Sequence, residues 1–371
     1  MRHGHPWIYR SDVLEAPSAA GAAVVVDERD RIIGIALYSP ASTIALRMLT
    51  HEEVVLDEAF WHQRISRALA LRSALALDAT AYRLVHAEAD ALPSLIVDRY
   101  GEHLVVQLLS AGLETFRLAI VGALVDLVRP AGILARNDAP VRQYEQLPRT
   151  TELLHGAVPA LLEVRESEVR YLVEPWTGQK TGAFLDQREN RIRAGTLARG
   201  RALDAFAYHG SFALHLARSA EAVVAVDSST EALARARRNL ALNGRTARLE
   251  EGNVFDFLRE EEAAGRTYDI VVLDPPAFAK RRDHLEQALR GYKEVNLRAL
   301  RLLAPGGHLL TFSCSYHVGH ADFRAMLGDA AADAGRPVRW IESRHAALDH
   351  PEIVQIPETS YLKGAVLQVS D

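Results

Sequence analysis

The chain holds one cysteine, Cys314, and it closes the stretch Leu309-Leu310-Thr311-Phe312-Ser313-Cys314-Ser315-Tyr316-His317. A lone thiol is most often a buried core residue. Here, three polar neighbours at the end of an apolar strand make a hydrogen-bonded, partly solvated place in which a thiolate can form. A second chemical signal is the strand-like run Tyr268 to Leu273 leading into Asp274-Pro275-Pro276-Ala277-Phe278. The two prolines remove backbone donors and stiffen the turn, so that the Asp274 carboxylate projects from the strand end. A merely rigid loop is the plain alternative. Cys314 as a nucleophile and Asp274 as a charged partner are the candidate catalytic pair.

A third signal is Asp204-Ala205-Phe206-Ala207-Tyr208-His209-Gly210-Ser211-Phe212, which reads as strand end, tight turn and helix start. It carries one glycine, whereas a dinucleotide fingerprint has three. A pyrophosphate needs several backbone amides at a helix start; the methionine part of S-adenosyl-L-methionine needs only close passage of the backbone. The single glycine therefore favours S-adenosylmethionine, with Asp204, Phe206, Tyr208, Gly210, Ser211 and Phe212 as candidate cofactor-binding residues. The next strand ends in Asp227, followed by Ser228, where a carboxylate can accept both hydroxyls of a ribose. Asn253 ends the third strand and offers a donor and an acceptor to an adenine edge. A helix cap is the simpler role for Asp227, and a turn residue for Asn253.

The elements that must position these residues alternate strand and helix after Asp186. Strands are expected at Arg201 to Phe206, Ala222 to Val226, Ala247 to Glu251, Tyr268 to Leu273 and His308 to Phe312, with helices from Ser211, Thr230 and His284. That alternation predicts an α/β, doubly wound Rossmann-like sheet of parallel strands, which binds ligands at its carboxyl ends. Ahead of it, short apolar runs at 23–26, 32–38 and 44–49 predict a small β-barrel. A helix follows over 57–77, then a hairpin over 94–108, a helix over 113–128 and a strand-like stretch over 160–173. Three domains are expected: 1–70, a β-barrel; 71–177, a central α/β domain; and 178–371, the doubly wound domain.

Composition sets the outer limits. With 371 residues, 49% hydrophobic and 25% charged, the chain can fill more than one core. No apolar run approaches the ~20 residues that span a bilayer, so no membrane association and a cytoplasmic location are expected. One cysteine excludes an internal disulfide and any cysteine-rich metal cluster, and no metal is expected. The net charge of −5 means that any nucleic-acid contact must be local. Two basic clusters stand out, Arg188 to Arg201 and Lys280-Arg281-Arg282 with Arg290; the plain reading of such runs is a solvated helix face.

These residues, with several longer runs, resemble the bacterial methyltransferases that modify carbon 5 of cytosine in 23S ribosomal RNA and carry an amino-terminal PUA domain. The likeness covers nearly the whole chain. It takes in Gly4-His5-Pro6-Trp7-Ile8-Tyr9, Arg83 to Asp90, Leu92 to Tyr100, Gly178 to Arg191 and Pro357-Glu358-Thr359-Ser360-Tyr361-Leu362-Lys363-Gly364. The resemblance implies that the barrel is the PUA-like RNA-binding domain and that it is shortened at its amino-terminal end. It implies further that Phe184, Leu185 and Arg188 line the S-adenosylmethionine pocket, that Asp227 holds the ribose, and that Cys314 attacks the base. Asn253 stands where the family usually has aspartate, and His209 replaces a smaller polar residue.

The chemistry fits a thiolate. Carbon 5 of cytosine becomes nucleophilic only when a thiolate adds to carbon 6, and Asp274 can stabilise the protonated ring nitrogen. Loss of the carbon 5 proton needs a base, which stays unassigned; His317 is near in sequence but, as a lone histidine, more often structural. The target must be single-stranded or flipped, held by the PUA-like barrel and by Lys280, Arg281 and Arg282. The oligomeric state stays open, with a homodimer as one candidate. Two rival readings stand beside this one: methylation of guanine N2 or N7, which needs no thiol, and a non-catalytic ribosome-assembly factor.

Overall fold

A computed structural model describes residues 4–279 and 282–370, with backbone only at Arg282. The chain forms two compact units. The first takes the chain up to Glu166 together with Val173–Asp186 and Leu348–Thr359; the second takes Ser167–Leu172, Gln187–Ala347 and the described residues from Ser360 on.

In the first unit, strands β1 (Trp7–Tyr9), β2 (Gly21–Val26), β3 (Ile32–Tyr38) and β4 (Ile44–Thr50) form an antiparallel sheet in the order β1-β4-β3-β2. Helix α1 (Glu58–Ala74) follows, started by Asp57, whose side chain accepts a bond from the Phe60 amide at 2.9 Å. Then come β5 (Ala81–His86), β6 (Leu95–Tyr100), β7 (His103–Leu108), the short helix α2 (Ala111–Glu114), α3 (Arg117–Val128), β8 (Gly132–Asn137), the short helix α4 (Val141–Tyr144) and β9 (Thr150–Gly156). Strands β5 to β9 make a second sheet in chain order, parallel only between β7 and β8. Trp61, Ile65 and Ala68 on one face of α1 pack with Leu37, Leu49, Val97 and Leu124, so the four-stranded sheet, α1 and the five-stranded sheet share one core. The 70/71 boundary expected from sequence thus falls inside α1.

The strand expected over 160–173 is instead a hairpin, β10 (Leu162–Glu166) and β11 (Val169–Val173), turned at Ser167 with φ +52. A polar Glu-Ser-Glu at 166–168 interrupts the apolar alternation there, and the turn follows from it. Residues Gly178 to Asp186 are anchored in the first unit. Thr181 Oγ1 donates to Asp98 Oδ2 at 2.6 Å, and Arg136 donates to the carbonyls of Pro175 and Gly178 at 2.7 and 3.0 Å.

The second unit begins with α5 (Arg188–Leu197) and continues β12 (Arg201–Ala205), α6 (Ser211–Leu216), β13 (Ala222–Asp227), α7 (Thr230–Leu242), β14 (Arg248–Glu251), α8 (Val254–Ala263), β15 (Tyr268–Leu273), α9 (Leu285–Leu302), β16 (Leu303–Ser313), α10 (His320–Ala334), β17 (Val338–Arg344) and β18 (Lys363–Val369). Its sheet runs β14-β13-β12-β15-β16-β18-β17, parallel from β14 to β16 and antiparallel around β18. Period-two side chains bury both faces. Ala202, Ile270, Val272 and Leu310 join α5 and α6 on one side; Leu203, Val271, Leu273 and Leu309 meet α9 and α10 on the other. The Pro305-Gly306-Gly307 segment is accommodated as an irregularity within β16, where the pairing jumps from Tyr268↔Leu303 to Ile270↔His308.

Candidate active site

Parallel strands put their carboxyl ends on one edge of the second unit's sheet, and this edge gathers the residues singled out from sequence. The turn after β12 carries Phe206 to Phe212, β13 ends in Asp227, β14 leads to Asn253, β15 to Asp274 and β16 to Cys314.

The turn after β12 is held open by backbone conformation. Phe206 and Tyr208 adopt φ of +67 and +50, and Gly210 adopts +77. Non-glycine residues enter this left-handed region at a cost and mark places where the surroundings dictate the backbone. At Gly210 a side chain has no room, because a β-carbon would stand 2.9 Å from that of Ala236 on α7. Ser211 opens α6 and Phe212 is buried in the core beneath it. His209 stacks on Tyr171 with ring centres 5.5 Å apart, and its carbonyl accepts from Asn239 Nδ2 at 2.9 Å, so it secures the turn from behind.

Three carboxylates converge here. Asp227 Oδ2 accepts from the Tyr208 amide at 2.8 Å and Oδ1 from the Ser229 amide at 2.9 Å, which ties the ends of β12 and β13 together; Ser228 lies between. Asp204 is fully buried; its Oδ2 accepts from the Ala213 amide at 2.8 Å while Oδ1 meets no donor among the described residues. Burial lifts its carboxyl to about 8, the Ala213 amide opposes this, and the charges of Asp274 and Asp227 add to it. Asp274 Oδ1 accepts from Gln187 Nε2 at 2.8 Å. An acid cluster at this edge fits a ligand that brings hydroxyls and a positive charge, as S-adenosylmethionine does.

Other predicted residues are placed less directly. The Asn253 amide oxygen caps α8 through the Phe255 amide at 2.8 Å, a role given neither by the adenine-pairing reading nor by the turn-residue one. Arg188 is buried on α5 and donates to Glu189 Oε1 at 3.0 and 2.8 Å. Of the first basic cluster, Arg188 and Arg191 are buried, Arg193 is half-buried, and Arg199 and Arg201 are exposed, so the solvated-face reading holds only for its later members. Phe184, beneath the Lys180 ammonium at 4.6 Å, and the buried Leu185 belong to the first unit. Lys280 and Arg281, and the side chain of Arg282, lie outside the described residues.

Cys314 is partly exposed just beyond β16, with Sγ 4.0 Å from the Pro275 carbonyl oxygen. The flanking serines are buried. Ser315 Oγ accepts from the Ala279 amide at 3.2 Å and lies 2.8 Å from the Tyr292 hydroxyl, which fixes the Asp-Pro-Pro turn, α9 and the thiol loop together. Phe278 of that turn packs against Tyr292, Phe255 and Phe206 with ring centres 4.6, 5.9 and 6.4 Å away. The arrangement offers a partly exposed cysteine, the Asp-Pro-Pro turn 4.0 Å from its sulfur and a cluster of acids along one sheet edge.

Sequence reasoning gave no role to Gln187, Tyr292 or Lys363. Gln187 and Lys363 lie within family-like runs, but only the fold brings them to Asp274 and to the thiol loop; nothing in the helical pattern of α9 distinguishes Tyr292 from a core residue.

A family model described as S-adenosylmethionine-dependent methyltransferase matches residues 98–364, and one described as PUA-like domain matches residues 1–51. The chain is 42% identical to the ribosomal RNA large subunit methyltransferase I of Shewanella amazonensis, over 98% of this chain and 95% of that protein. It is 40% identical to the protein of the same name from Klebsiella pneumoniae, over 98% and 94%. Among solved structures, a methyltransferase from Streptococcus mutans superposes with a TM-score of 0.84 at 20% identity, over 99% of this chain and 96% of that one, a likeness of fold.

Proposed function

The chain belongs to the family of the ribosomal RNA large subunit methyltransferase I proteins, S-adenosylmethionine-dependent enzymes with a PUA-like domain, and from that premise we propose that it methylates carbon 5 of a cytosine in 23S ribosomal RNA through a covalent Cys314 adduct. S-adenosylmethionine, when bound, supplies the activated methyl group. Asp227 offers acceptors to its ribose hydroxyls, and the Phe206 to Phe212 turn lets the backbone pass close to it, with Ser228, Asn253 and Arg188 as further lining residues. Asp204 sits behind the turn and fixes the start of α6 through the Ala213 amide.

In this reading Cys314 Sγ bonds to carbon 6 of the cytosine, and the electron pair of the 5,6 double bond is released toward carbon 5, which takes the methyl group. Asp274 stabilises the protonated ring nitrogen. A base then removes the carbon 5 proton, the 5,6 double bond re-forms and the sulfur leaves as a thiolate. The observation that carries the proposal is the position of the only thiol: partly exposed, at a carboxyl strand end, 4.0 Å from the carbonyl of the residue after Asp274.

Carbon 6 is shielded in a stacked helix, so the substrate cytosine is single-stranded or flipped. The PUA-like sheet and Lys280, Arg281 and Arg282 hold the RNA backbone in this proposal; reversing the three to glutamate should weaken RNA binding strongly and its salt dependence with it. Among the described residues no helix is long and apolar enough to cross a membrane. A cytoplasmic site of action and a homodimeric state complete the proposal, the latter measured by light scattering.

The deciding experiment is methyl transfer by the Cys314→Ala variant. Loss of 5-methylcytosine in ribosomal RNA with S-adenosylmethionine binding intact is expected. Full activity would remove the covalent mechanism in favour of methylation at an amino or ring nitrogen of guanine, and no heat of cofactor binding in the unaltered protein would favour a non-catalytic assembly factor.

A further inference from the structure

Lys363 is the first residue of β18 and one of the few buried charged groups of the second unit, with 2% of its surface exposed. Its backbone pairs with Ser313 across the sheet, while its Nζ donates to the carbonyls of Ser315 and Tyr361, both at 2.8 Å. The lysine therefore brackets Cys314 from the residue before it to the residue after it. Among the described residues no carboxylate pairs with this ammonium. A buried cation without an anion is costly, and proteins retain one where an opposite charge meets it.

We infer that Lys363 is the cationic partner of Cys314, holding the sulfur as a thiolate in an ammonium–thiolate pair ready to add to the base. This rests on Cys314 being the nucleophile, and it makes Lys363 a positioning residue that acts through the sulfur. The proton balance is internal. The thiol S–H bond breaks and the proton passes to the amine nitrogen, so that S–H plus NH2 becomes S⁻ plus NH3⁺. When the sulfur bonds to carbon 6 the ammonium keeps that proton, and when the adduct breaks the sulfur returns as the same thiolate beside it.

The charges around the pair agree with this assignment. Burial pushes the Lys363 amine down to about 8, and Cys314 is the group that pulls it back up. On the neighbouring elements, Tyr292 of α9, whose hydroxyl burial pushes upward, lies 2.8 Å from Ser315 Oγ; Asp274 precedes Pro275, whose carbonyl is 4.0 Å from Sγ; Tyr316 and His317 follow Ser315 in sequence; and Tyr361 gives its carbonyl to Nζ. Lys363 is buried and its charged end is bonded to the Ser315 carbonyl on the thiol loop.

The chain has a single cysteine, so the pH dependence of its alkylation by iodoacetamide reports Cys314 alone in the full-length protein. The expected midpoint lies below the ordinary thiol value of about 8.5. Lys363→Met should raise that midpoint by about one pH unit and slow alkylation at pH 7 about tenfold, while Lys363→Arg should keep the low midpoint. A wild-type midpoint at or above the ordinary value overturns the inference. So does an unchanged midpoint in a Lys363→Met protein that melts and binds S-adenosylmethionine like the wild type. If Lys363→Met does not fold, the wild-type and Lys363→Arg midpoints decide. Because alkylation needs no RNA, methylation by Cys314→Ala would defeat the covalent reading while leaving the alkylation result to stand or fall separately.

Discussion

Gln187 Nε2 donates to Asp274 Oδ1 at 2.8 Å, and the same glutamine accepts from Asn190 Nδ2 at 2.6 Å through its Oε1. Asn190 in turn accepts from Arg344 Nε at 2.9 Å and donates to the His345 carbonyl at 3.0 Å. The carboxylate proposed to meet the base is therefore aimed by two buried amides, Gln187 at the start of α5 and Asn190 on it, and these are tied to Arg344 at the end of β17. Gln187→Ala should lower the rate of methyl transfer by about 10²-fold through misplacement of Asp274. Calorimetry should find S-adenosylmethionine affinity much less affected; an unchanged rate would show that Gln187 does not position Asp274.

Asp227 joins two turns through the amides of Tyr208 and Ser229 and is the proposed ribose acceptor. Replacement by alanine strips a charged acceptor from both roles and should weaken S-adenosylmethionine binding by about 10- to 100-fold. Titration calorimetry measures this directly. Binding at the wild-type affinity would place the ribose elsewhere.

The buried Asp204 gives stability a pH dependence of known sign. Its folded carboxyl, at about 8, stands above its value in the unfolded chain, so between roughly pH 4 and 8 the folded state keeps a proton that the unfolded state has released. Its contribution is complete below that window and is lost as pH rises through 8. Asp204→Asn keeps an oxygen for the Ala213 amide and cannot ionise. Its melting temperature should gain on the wild type as pH rises from 5, by roughly 5 °C at pH 8.5. A difference independent of pH would mean that Asp204 is ionised throughout.

Gly210 combines a φ of +77 with a β-carbon position 2.9 Å from Ala236. Gly210→Ala should therefore cost about 1–3 kcal/mol of stability, read from urea melts, and weaken cofactor binding by distorting the turn. Wild-type stability and affinity together would show that the turn yields at no cost.

Much of the catalytic unit was legible because its strands are short, apolar and separated by helices of clear period. Tyr268 to Leu273 is found as expected, and Arg201, Ala222 and Thr230 begin their elements as read. The parallel, doubly wound character of β12 to β16 follows from that alternation, and so does the carboxyl edge that carries Asp227, Asp274 and Cys314; the order β14-β13-β12-β15-β16 does not. What sequence could not give was partnership. Strands β17 and β18 carry no α-helix between them, so no crossover pattern announced them, and Lys363 reads as an ordinary surface lysine until β18 is seen paired with β16. Gln187 is one residue among several polar ones, and its role depends on Asp274, 87 positions away. The first unit was less legible, because α1 shares its core with both sheets and a period-based reading saw a linker helix where packing made a common interior.

The place of β18 between β16 and β17 has a bearing on biogenesis. Of the seven strands in that sheet it is the last to be synthesised, yet it fills an interior slot. Until it arrives, β16 presents an unpaired, apolar margin to the crowded surroundings of a nascent polypeptide, the kind of margin on which chains coalesce. Translation must therefore run through residues 363–369 before the sheet can close, and the same strand that seals it delivers the lysine beside the thiol, so that reactivity and a finished interior are acquired in one event.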